Sequence, residues 1–249
     1  MNDQEPVRKA LFAALEKEPR IDLRRDRIDI VLDRGGVATL SGEVEDLGAK
    51  RVACERAAAL PGVNGVVDRL RVRPASPMPD DAIATHLEQI LVGDSDFDTC
   101  EIRRRTGSEV VTVRGPVADG QGWWIELSVD DGVVTLAGEV PSLSHKRLAG
   151  VLAWWVPGTC DVLNRLGVRP DEQDTDDEIL DALRIALEKD WLVDATQVNA
   201  ACRDGVITLE GLVGSEAERN AAEFDAWALF AVDGVVNRLG VGELGRASG

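Results

Sequence analysis

One pattern occurs three times along this chain of 249 residues, and this internal repeat constrains the fold more than any other feature. The segments Gly36 to Pro74, Gly132 to Pro170 and Gly205 to Gly242 superimpose without a gap. Each begins with a Gly-Val turn and strand, continues through a stretch rich in alanine and helix-forming residues, and ends with a valine-rich strand. Chance agreement at so many ungapped positions is implausible, so the repeat indicates three copies of one structural unit.

The spacing of apolar residues predicts the elements of each unit. Apolar residues at helical spacing, such as Val7, Leu11 and Leu15, come first, and alternating apolar residues then mark a strand. A glycine-containing turn and a second strand follow, then a second helix and a third strand, which a right-handed crossover places parallel to strand two. We predict an α+β fold: three tandem αββαβ domains, each a small three-stranded mixed sheet covered on one face by two helices, with the strand order left open.

Two linkers divide the chain into three predicted domains, at residues 1–74, 75–170 and 171–249. The segment 74–79 after the first domain is rich in proline, and the segment 170–177 after the second is acidic. Chain segments of this composition resist folding, so we expect both linkers to stay solvated.

The second domain carries an insertion around 93–127, which makes it roughly 23 residues longer than the repeat requires, more than an ordinary loop. Within the insertion, the sequence from Glu109 to Val113 has the composition of an added strand. The insertion offers several carboxylates and one cysteine but no paired base and nucleophile, so it gives little support to an enzyme.

The formal net charge of -17 limits the classes of partner. Nucleic acid is not expected, because phosphates attract clusters of lysine and arginine and repel carboxylates. The charge is uneven, since residues 1–74 are nearly neutral and residues 171–249 are strongly acidic. Of the three domains, the first is therefore the one suited to bind anionic lipid. An electrostatic attraction between the first and third domains explains the uneven charge equally well.

The ends of the chain and its cysteines predict a cytoplasmic protein with reduced thiols. The sequence shows neither a secretory signal nor an apolar run long enough to span a bilayer. The four cysteines are far apart and form no CxxC pair: Cys54, Cys100, Cys160 and Cys202. With two histidines, a multi-histidine metal centre is nearly excluded; we expect His86 in the core or at its boundary and His145 in solvent.

The repeated motifs, Asp/Gly-Gly-Val-x-x-Leu-x-Gly-x-Val and then Gly-Val-x-x-Val-x-Asn-x-Leu, resemble those of the BON (bacterial OsmY and nodulation) domain. In the first unit the matching residues are Gly36, Val37, Leu40, Gly42, Val44, Val63, Val66, Asp68 and Leu70. In the third they are Gly205, Val206, Leu209, Gly211, Val213, Gly234, Val235, Asn237 and Leu239. The resemblance implies an αββαβ fold, a binding role that is often at envelopes with phospholipid or other envelope ligands, links to osmotic or general stress, and no catalytic motif.

Enzyme motifs are otherwise missing from the sequence. There is no Walker A loop, HExxH or GxSxG, and the GxGxxG match at 240–245 has too few residues after it for the required helix. We therefore predict a non-enzymatic binding or scaffolding protein without cofactor or metal, stress-related, with a protein partner or self-association. The alternative is a peripheral protein that binds phospholipid or an envelope polymer.

Strand alternation predicts which side chains face away from the helices. With the leucines of strands two and three turned inward, one threonine and one arginine of each unit point outward. These residues are Thr39, Arg69, Thr135, Arg165, Thr208 and Arg238. They form either an ordinary solvated sheet face or a ligand platform in which arginine recognises carboxylate or phosphate. The alternating Asp68, Asn164 and Asn237 point inward and are expected to make structural hydrogen bonds.

The second helices of the second and third units are apolar nearly all round. Large apolar residues lie outside the stripe that faces each unit's own core: Val151, Trp154, Trp155, Phe224 and Trp227. A helix that is apolar on all sides is normally buried on both sides. We therefore expect the second and third units to pack through these helices, within one chain or in a dimer; the alternative is that the tryptophans lie flat on a polar surface.

Overall fold

A computed structural model describes residues 4–116 and 122–242 of the protein. The first repeat has the predicted order of helix, hairpin, helix and strand. Its elements are α1 (Gln4–Glu16), β1 (Arg27–Leu32), β2 (Val37–Val44), α2 (Leu47–Ala58) and β3 (Gly65–Val72). In its sheet, β2 lies between β1, to which it is antiparallel, and β3, to which it is parallel.

The second repeat contains the same elements and an added hairpin. Its elements are α3 (Asp80–Gly93), a 3₁₀ turn (Ser95–Phe97), β4 (Glu101–Thr106), β5 (Glu109–Arg114), β6 (Trp124–Asp130), β7 (Val133–Val140), α4 (Leu143–Trp155) and β8 (Asp161–Val168). The sheet order is β5-β4-β6-β7-β8, with β4 parallel to β6 and antiparallel to β5. The added strand predicted from residue 109 is confirmed, and the insertion also supplies β4, so it extends the sheet by two strands.

The third repeat returns to the three-stranded form. Its elements are α5 (Asp176–Lys189), a 3₁₀ turn (Ala195–Gln197), β9 (Val198–Arg203), β10 (Val206–Val213), α6 (Glu216–Ala228) and β11 (Gly234–Val241). The middle strand β10 is antiparallel to β9 and parallel to β11. The predicted α+β fold with three small mixed sheets is therefore confirmed, and the structure adds the order of the strands.

The chain divides into two compact units, residues 1–74 and residues 75–249, which we call the N-terminal and C-terminal units. The N-terminal unit is the first repeat. The C-terminal unit contains the second and third repeats, because α4 of the second contacts both α5 and α6 of the third.

Leucines on the helix side of each sheet form the cores. Leu40, Leu136 and Leu209 of the middle strands are fully buried, and Leu70, Leu166 and Leu239 of the following strands are buried in the same way. The second helices begin at side-chain caps: Asp46, Ser142 and Ser215 accept hydrogen bonds from the backbone N–H groups of Ala49, His145 and Glu218. Such caps satisfy N–H groups that the first helical turn leaves unpaired.

In each middle strand, the glycine two residues after the leucine allows the backbone of the first strand to approach closely. Gly42, Gly138 and Gly211 have φ angles of +117°, +136° and +141°. A Cβ at these positions would lie 1.7, 2.0 and 2.0 Å from the carbonyl oxygens of Arg27, Trp124 and Gln197, which stand at or just before the start of the first strand. Only glycine fits this contact, which is the physical basis of the repeated Leu-x-Gly motif.

The acidic linker behaves only in part as predicted. Although its residues are exposed, Glu172 accepts a hydrogen bond from the first N–H of α4, and Asp174 pairs with Arg147 of that helix. Asp176 accepts bonds from the backbone N–H groups of Asp204 and Gly205 in the hairpin turn. Residues 170–175 are exposed, as predicted, but carboxylates of the linker also bind backbone N–H groups and a buried guanidinium, which the composition did not indicate.

Both histidines also differ from expectation. His86 is exposed on α3, not in the core or at its boundary. His145 is half-buried: its Nδ1 lies 2.6 Å from Ser142 Oγ, and its ring meets Phe97 edge to face. Burial lowers the pKa of His145, against the opposing charges of Asp96, Glu172 and Asp94.

Replacing Gly138 by alanine is expected to destabilise the C-terminal unit by about 2 to 4 kcal/mol, because the hairpin backbone must move or the residue must accept a strained φ. The control is Gly115→Ala, where a new Cβ meets nothing within 4 Å; a change below about 0.5 kcal/mol is expected there. Urea unfolding measures both. Equal stabilities of the two variants would contradict this account of the motif.

Candidate functional site

The open sheet faces carry the predicted threonines and arginines. Thr39, Thr135 and Thr208 are half-buried on the middle strands, and Arg69, Arg165 and Arg238 are exposed on the parallel strands beside them. In each sheet the threonine and the arginine therefore occupy neighbouring strands on the side away from the helices. The strand register shows this arrangement, because the residue two positions after each threonine pairs with the arginine, so both lie on the same face.

An exposed apolar residue completes each of these faces. Val67, Leu163 and Val236 are exposed by 39%, 37% and 40%, and they pair in register with Thr39, Thr135 and Thr208. These three residues were not among the predicted site residues, although the alternation that turns the arginines outward also turns outward the residues two positions earlier. We call each set of threonine, apolar residue and arginine the Thr-Arg face of its repeat.

The three Thr-Arg faces are not equivalent. Arg238 pairs with Glu210 at 3.0 Å, because Glu210 lies beside it on the middle strand. The corresponding neighbours of Arg69 and Arg165 are Ser41 and Ala137. Among the described residues, neither of these two arginines forms an ion pair, so their guanidinium groups are available to an acceptor on a ligand.

The inward-facing polar residues are structural, as predicted. Asn164 donates to the carbonyl of Lys146 on α4 at 2.6 Å, and Asn237 donates to the carbonyl of Arg219 on α6 at 3.3 Å. Asp68 instead forms an ion pair of 2.9 Å with the buried Lys50 of α2. These side chains attach the third strand of each repeat to its second helix, and a ligand on the open face does not meet them.

The helix junction of the C-terminal unit contains the apolar residues that lay outside the core stripes. Val151, Trp154 and Trp227 are buried, whereas Trp155 and Phe224 are half-buried. The indole N–H of Trp155 on α4 donates to Asp225 Oδ1 on α6 at 2.8 Å. These side chains therefore lie where α4 meets the third repeat within one chain, and Trp154 and Trp227 do not lie flat on a polar surface.

A buried guanidinium strengthens this junction. Arg147 of α4 is fully buried, pairs with Asp174 of the acidic linker, and places its guanidinium carbon 4.6 Å from the centre of the Phe230 ring. Its Nε and Nη1 have no hydrogen-bond partner. The cation is therefore balanced by one carboxylate and one aromatic face, a contact of the cation–π type.

Removal of this guanidinium tests its role. Arg147→Ala is expected to lower the free energy of unfolding of the C-terminal unit by about 3 kcal/mol, because it leaves a cavity and an unpaired carboxylate. Arg184→Ala is the matched control, since Arg184 forms an exposed pair with Asp181 within α5 and such pairs contribute less than about 1 kcal/mol. Chemical unfolding followed by tryptophan fluorescence compares them; similar losses would contradict the assigned role.

A second ionisable group is buried on the other side of the junction. Asp225 is fully buried, and its Oδ2 has no hydrogen-bond donor. Burial raises the pKa of Asp225 to about 8; the hydrogen bond from Trp155 opposes the rise, and the carboxyl of Asp190 adds to it. Near neutral pH, Asp225 therefore holds a proton, which lets two carboxyl groups lie side by side without two charges.

This proton makes stability depend on pH. The pKa of Asp225 is higher in the folded than in the unfolded chain. The stabilisation that the protonated carboxyl contributes to the folded state is therefore complete below the unfolded pKa and is lost as the pH rises through about 8. Asp225→Asn should gain stability relative to wild type between about pH 5 and pH 8, by up to about 1.4 kcal/mol per pH unit. Parallel unfolding curves at several pH values measure the difference.

The exposed Asp177 of α5 provides the control for that measurement. Asp177→Asn neutralises a solvent-exposed carboxylate in the same unit. The free energy of unfolding of this variant should therefore follow the wild-type pH dependence over this range. A constant difference between Asp225→Asn and wild type would show that Asp225 is ionised throughout.

Three of the four cysteines are poorly suited to nucleophilic chemistry. Burial raises the pKa of Cys54 to about 12 and that of Cys202 to about 11, and it also raises the pKa of Cys100. These thiols are therefore protonated near neutral pH and are poor nucleophiles. Over 4–116 and 122–242, no cluster of three or more histidine, cysteine or acidic residues could hold a metal. None of the helices in these two ranges has both the length and the hydropathy of a membrane span.

Comparison with known proteins agrees with the repeat. The family model described as BON domain matches residues 3–74, 124–170 and 175–243. Osmotically-inducible protein Y of Escherichia coli (strain K12) is 31% identical over 121 residues, which cover 46% of this chain and 60% of that protein. The chain therefore matches less than two thirds of the length of this relative.

Two solved structures of CdsD, a structural protein of the type III secretion system of Chlamydia trachomatis, were also matched. Each is 13% identical and covers 96% of this chain, with TM-scores of 0.24 for the C-terminal domain and 0.25 for the second structure. The matches cover 99% and 93% of those chains.

Proposed function

Since this chain belongs to the BON domain family and is related to osmotically-inducible protein Y, we propose that it is a stress-related, non-enzymatic binding or scaffolding protein. Its binding surfaces are the Thr-Arg faces of the repeats. The packing of α4 against α5 and α6 supports this function by holding the faces of the second and third repeats within one unit.

The observation that carries the proposal is the combination of an exposed apolar residue with an arginine that has no ion pair among the described residues. Val67 and Arg69 provide it in the first repeat, and Leu163 and Arg165 provide it in the second. Arginine is enriched in protein interfaces, where a guanidinium binds a carboxylate with two hydrogen bonds, and the buried centre of an interface is more apolar than its rim. A protein segment with an acidic side chain and an apolar neighbour has the matching chemistry.

One observation favours the alternative, a peripheral phospholipid-binding protein. The open face of the first repeat carries Arg27, Arg69 and Arg71, which is the chemistry that attracts lipid phosphate. The same face carries Asp29 and Glu43, so its positive charge is partly offset. The protein partner is therefore the first choice, and the membrane is an outcome of the test.

The test compares two charge reversals of the full chain. The double variant Arg69→Glu and Arg165→Glu should reduce capture of a binding protein by about tenfold or more, as expected when a central arginine of an interface is lost. Arg238→Glu is the matched control, because that arginine is already paired with Glu210. The measurement is quantitative mass spectrometry of proteins retained from a cell lysate on each immobilised chain.

A protein that is retained by wild type and by Arg238→Glu, and is lost with the double variant, supports the proposal. Identical retention by all three chains contradicts it. Co-sedimentation with phosphatidylcholine vesicles, with and without phosphatidylglycerol, tests the alternative: binding that needs the anionic lipid, weakens with salt and is lost in Arg69→Glu would replace the protein partner by a membrane.

A further inference from the structure

A groove of about 470 Å³ lies at the helix junction of the C-terminal unit, apart from the Thr-Arg faces. Its walls come from the end of α4, the segment that follows α5, and one side of α6. The side chains that shape it are Trp154, Trp155, Asp190, Trp191, Leu192 and Phe224. The groove therefore gathers three of the six tryptophans of the chain and one of its four phenylalanines.

Trp191 is not explained by the fold. It is 88% exposed, although its neighbours Trp154 and Val193 are buried and Leu192 is exposed by only 45%. An indole is a large apolar group, and its exposure at the edge of a groove is typical of a binding surface, not of packing. The exposed Trp191 thus marks the entrance to the groove.

The one charged side chain that lines the groove is a carboxylate, which favours a cation. Asp190 lines it and is exposed by only 9%, while one of its oxygens accepts the N–H of Leu192 at 2.8 Å. The carboxyl of Asp225 accepts the indole N–H of Trp155 and so fixes the orientation of one wall of the groove. No lysine or arginine is among the lining residues, although the rings of Trp124 and Phe230 elsewhere in this unit each have a cation over them.

We propose that this groove binds a small organic cation, an alkylammonium or quaternary ammonium ion, with its charge beside Asp190 and its alkyl groups against the tryptophans. Aromatic faces attract cations, and quaternary ammonium recognition by several aromatic rings beside a carboxylate is a recurring use of that attraction. A bare metal ion does not suit the groove, since Asp190 and Asn220 are the only lining side chains with an oxygen and hard cations take six or more oxygen ligands. Pockets of this volume commonly hold small ligands.

The experiment uses choline as the cationic probe and 3,3-dimethyl-1-butanol as its neutral isostere, added to the full chain. The indole N–H signals of the tryptophans are followed by NMR, because the groove tryptophans report directly and Trp123 and Trp124 serve as internal references. Choline should shift the signals of Trp154, Trp155 and Trp191. The neutral isostere should bind about tenfold more weakly, since it loses the attraction of the carboxylate and the rings.

Two variants locate the site, each with a matched control. Trp191→Ala should weaken choline binding about fivefold and Trp191→Phe should largely restore it, because a phenyl ring still attracts a cation. The side chain of Trp191 is exposed, so neither change should affect folding. Asp190→Asn keeps an acceptor for Leu192 but removes the charge, and should also weaken binding, whereas Asp181→Asn on the exposed side of α5 should not.

The proposal is overturned if choline and its isostere bind equally, which would show an apolar groove without cation preference. It is also overturned if choline at about 100 mM leaves the groove tryptophans unshifted, or if Trp191→Ala or Asp190→Asn binds choline as wild type does. None of these results affects the Thr-Arg faces, so the proposed function stands or falls separately.

Discussion

Burial of one face of each sheet under two helices is the constraint on which the rest of the structure depends. A sheet of three short strands can bury only one face against its own helices, so the leucine of the middle strand and the leucine of the parallel strand must both point inward. Because side chains alternate, these two residues determine that Thr39 and Arg69 in the first repeat face outward. The open face is thus a consequence of the core.

In the C-terminal unit, the second helix of the second repeat must be buried on two sides. Helix α4 packs against its own sheet and also against α5 and α6, so its outer side is buried as well. Arg147 remains on that side and is balanced by Asp174 and Phe230. In the corresponding helix α2, Arg56 and Ala58 stand where α4 has Leu152 and Trp154. A charged and a small residue at these positions suit a helix that buries only one side.

Much of the fold could be predicted from the sequence, because a local pattern of residues identifies each helix, strand and turn. The Leu-x-Gly motif requires a glycine where the hairpin strands approach closely, and helical spacing marks every helix. The site was only partly predictable. Alternation identified Arg69 and Arg165 but could not show that Glu210 neutralises Arg238, because that pairing depends on strand order and register.

The groove beside α4 was beyond sequence analysis for a similar reason. Trp191 and Asp190 lie about 35 residues from Phe224 and Trp154 along the chain, and only the packing of three elements brings them together. The acidic linker shows the same limit, since its composition predicts an exposed segment but not that Glu172 accepts the first N–H of α4 or that Asp174 pairs with Arg147. By itself the sequence determined the repeat, the elements and the inward leucines, because these depend on local spacing. Tertiary structure alone decided strand order, ion pairs and the groove, because these depend on contacts between residues distant in the chain.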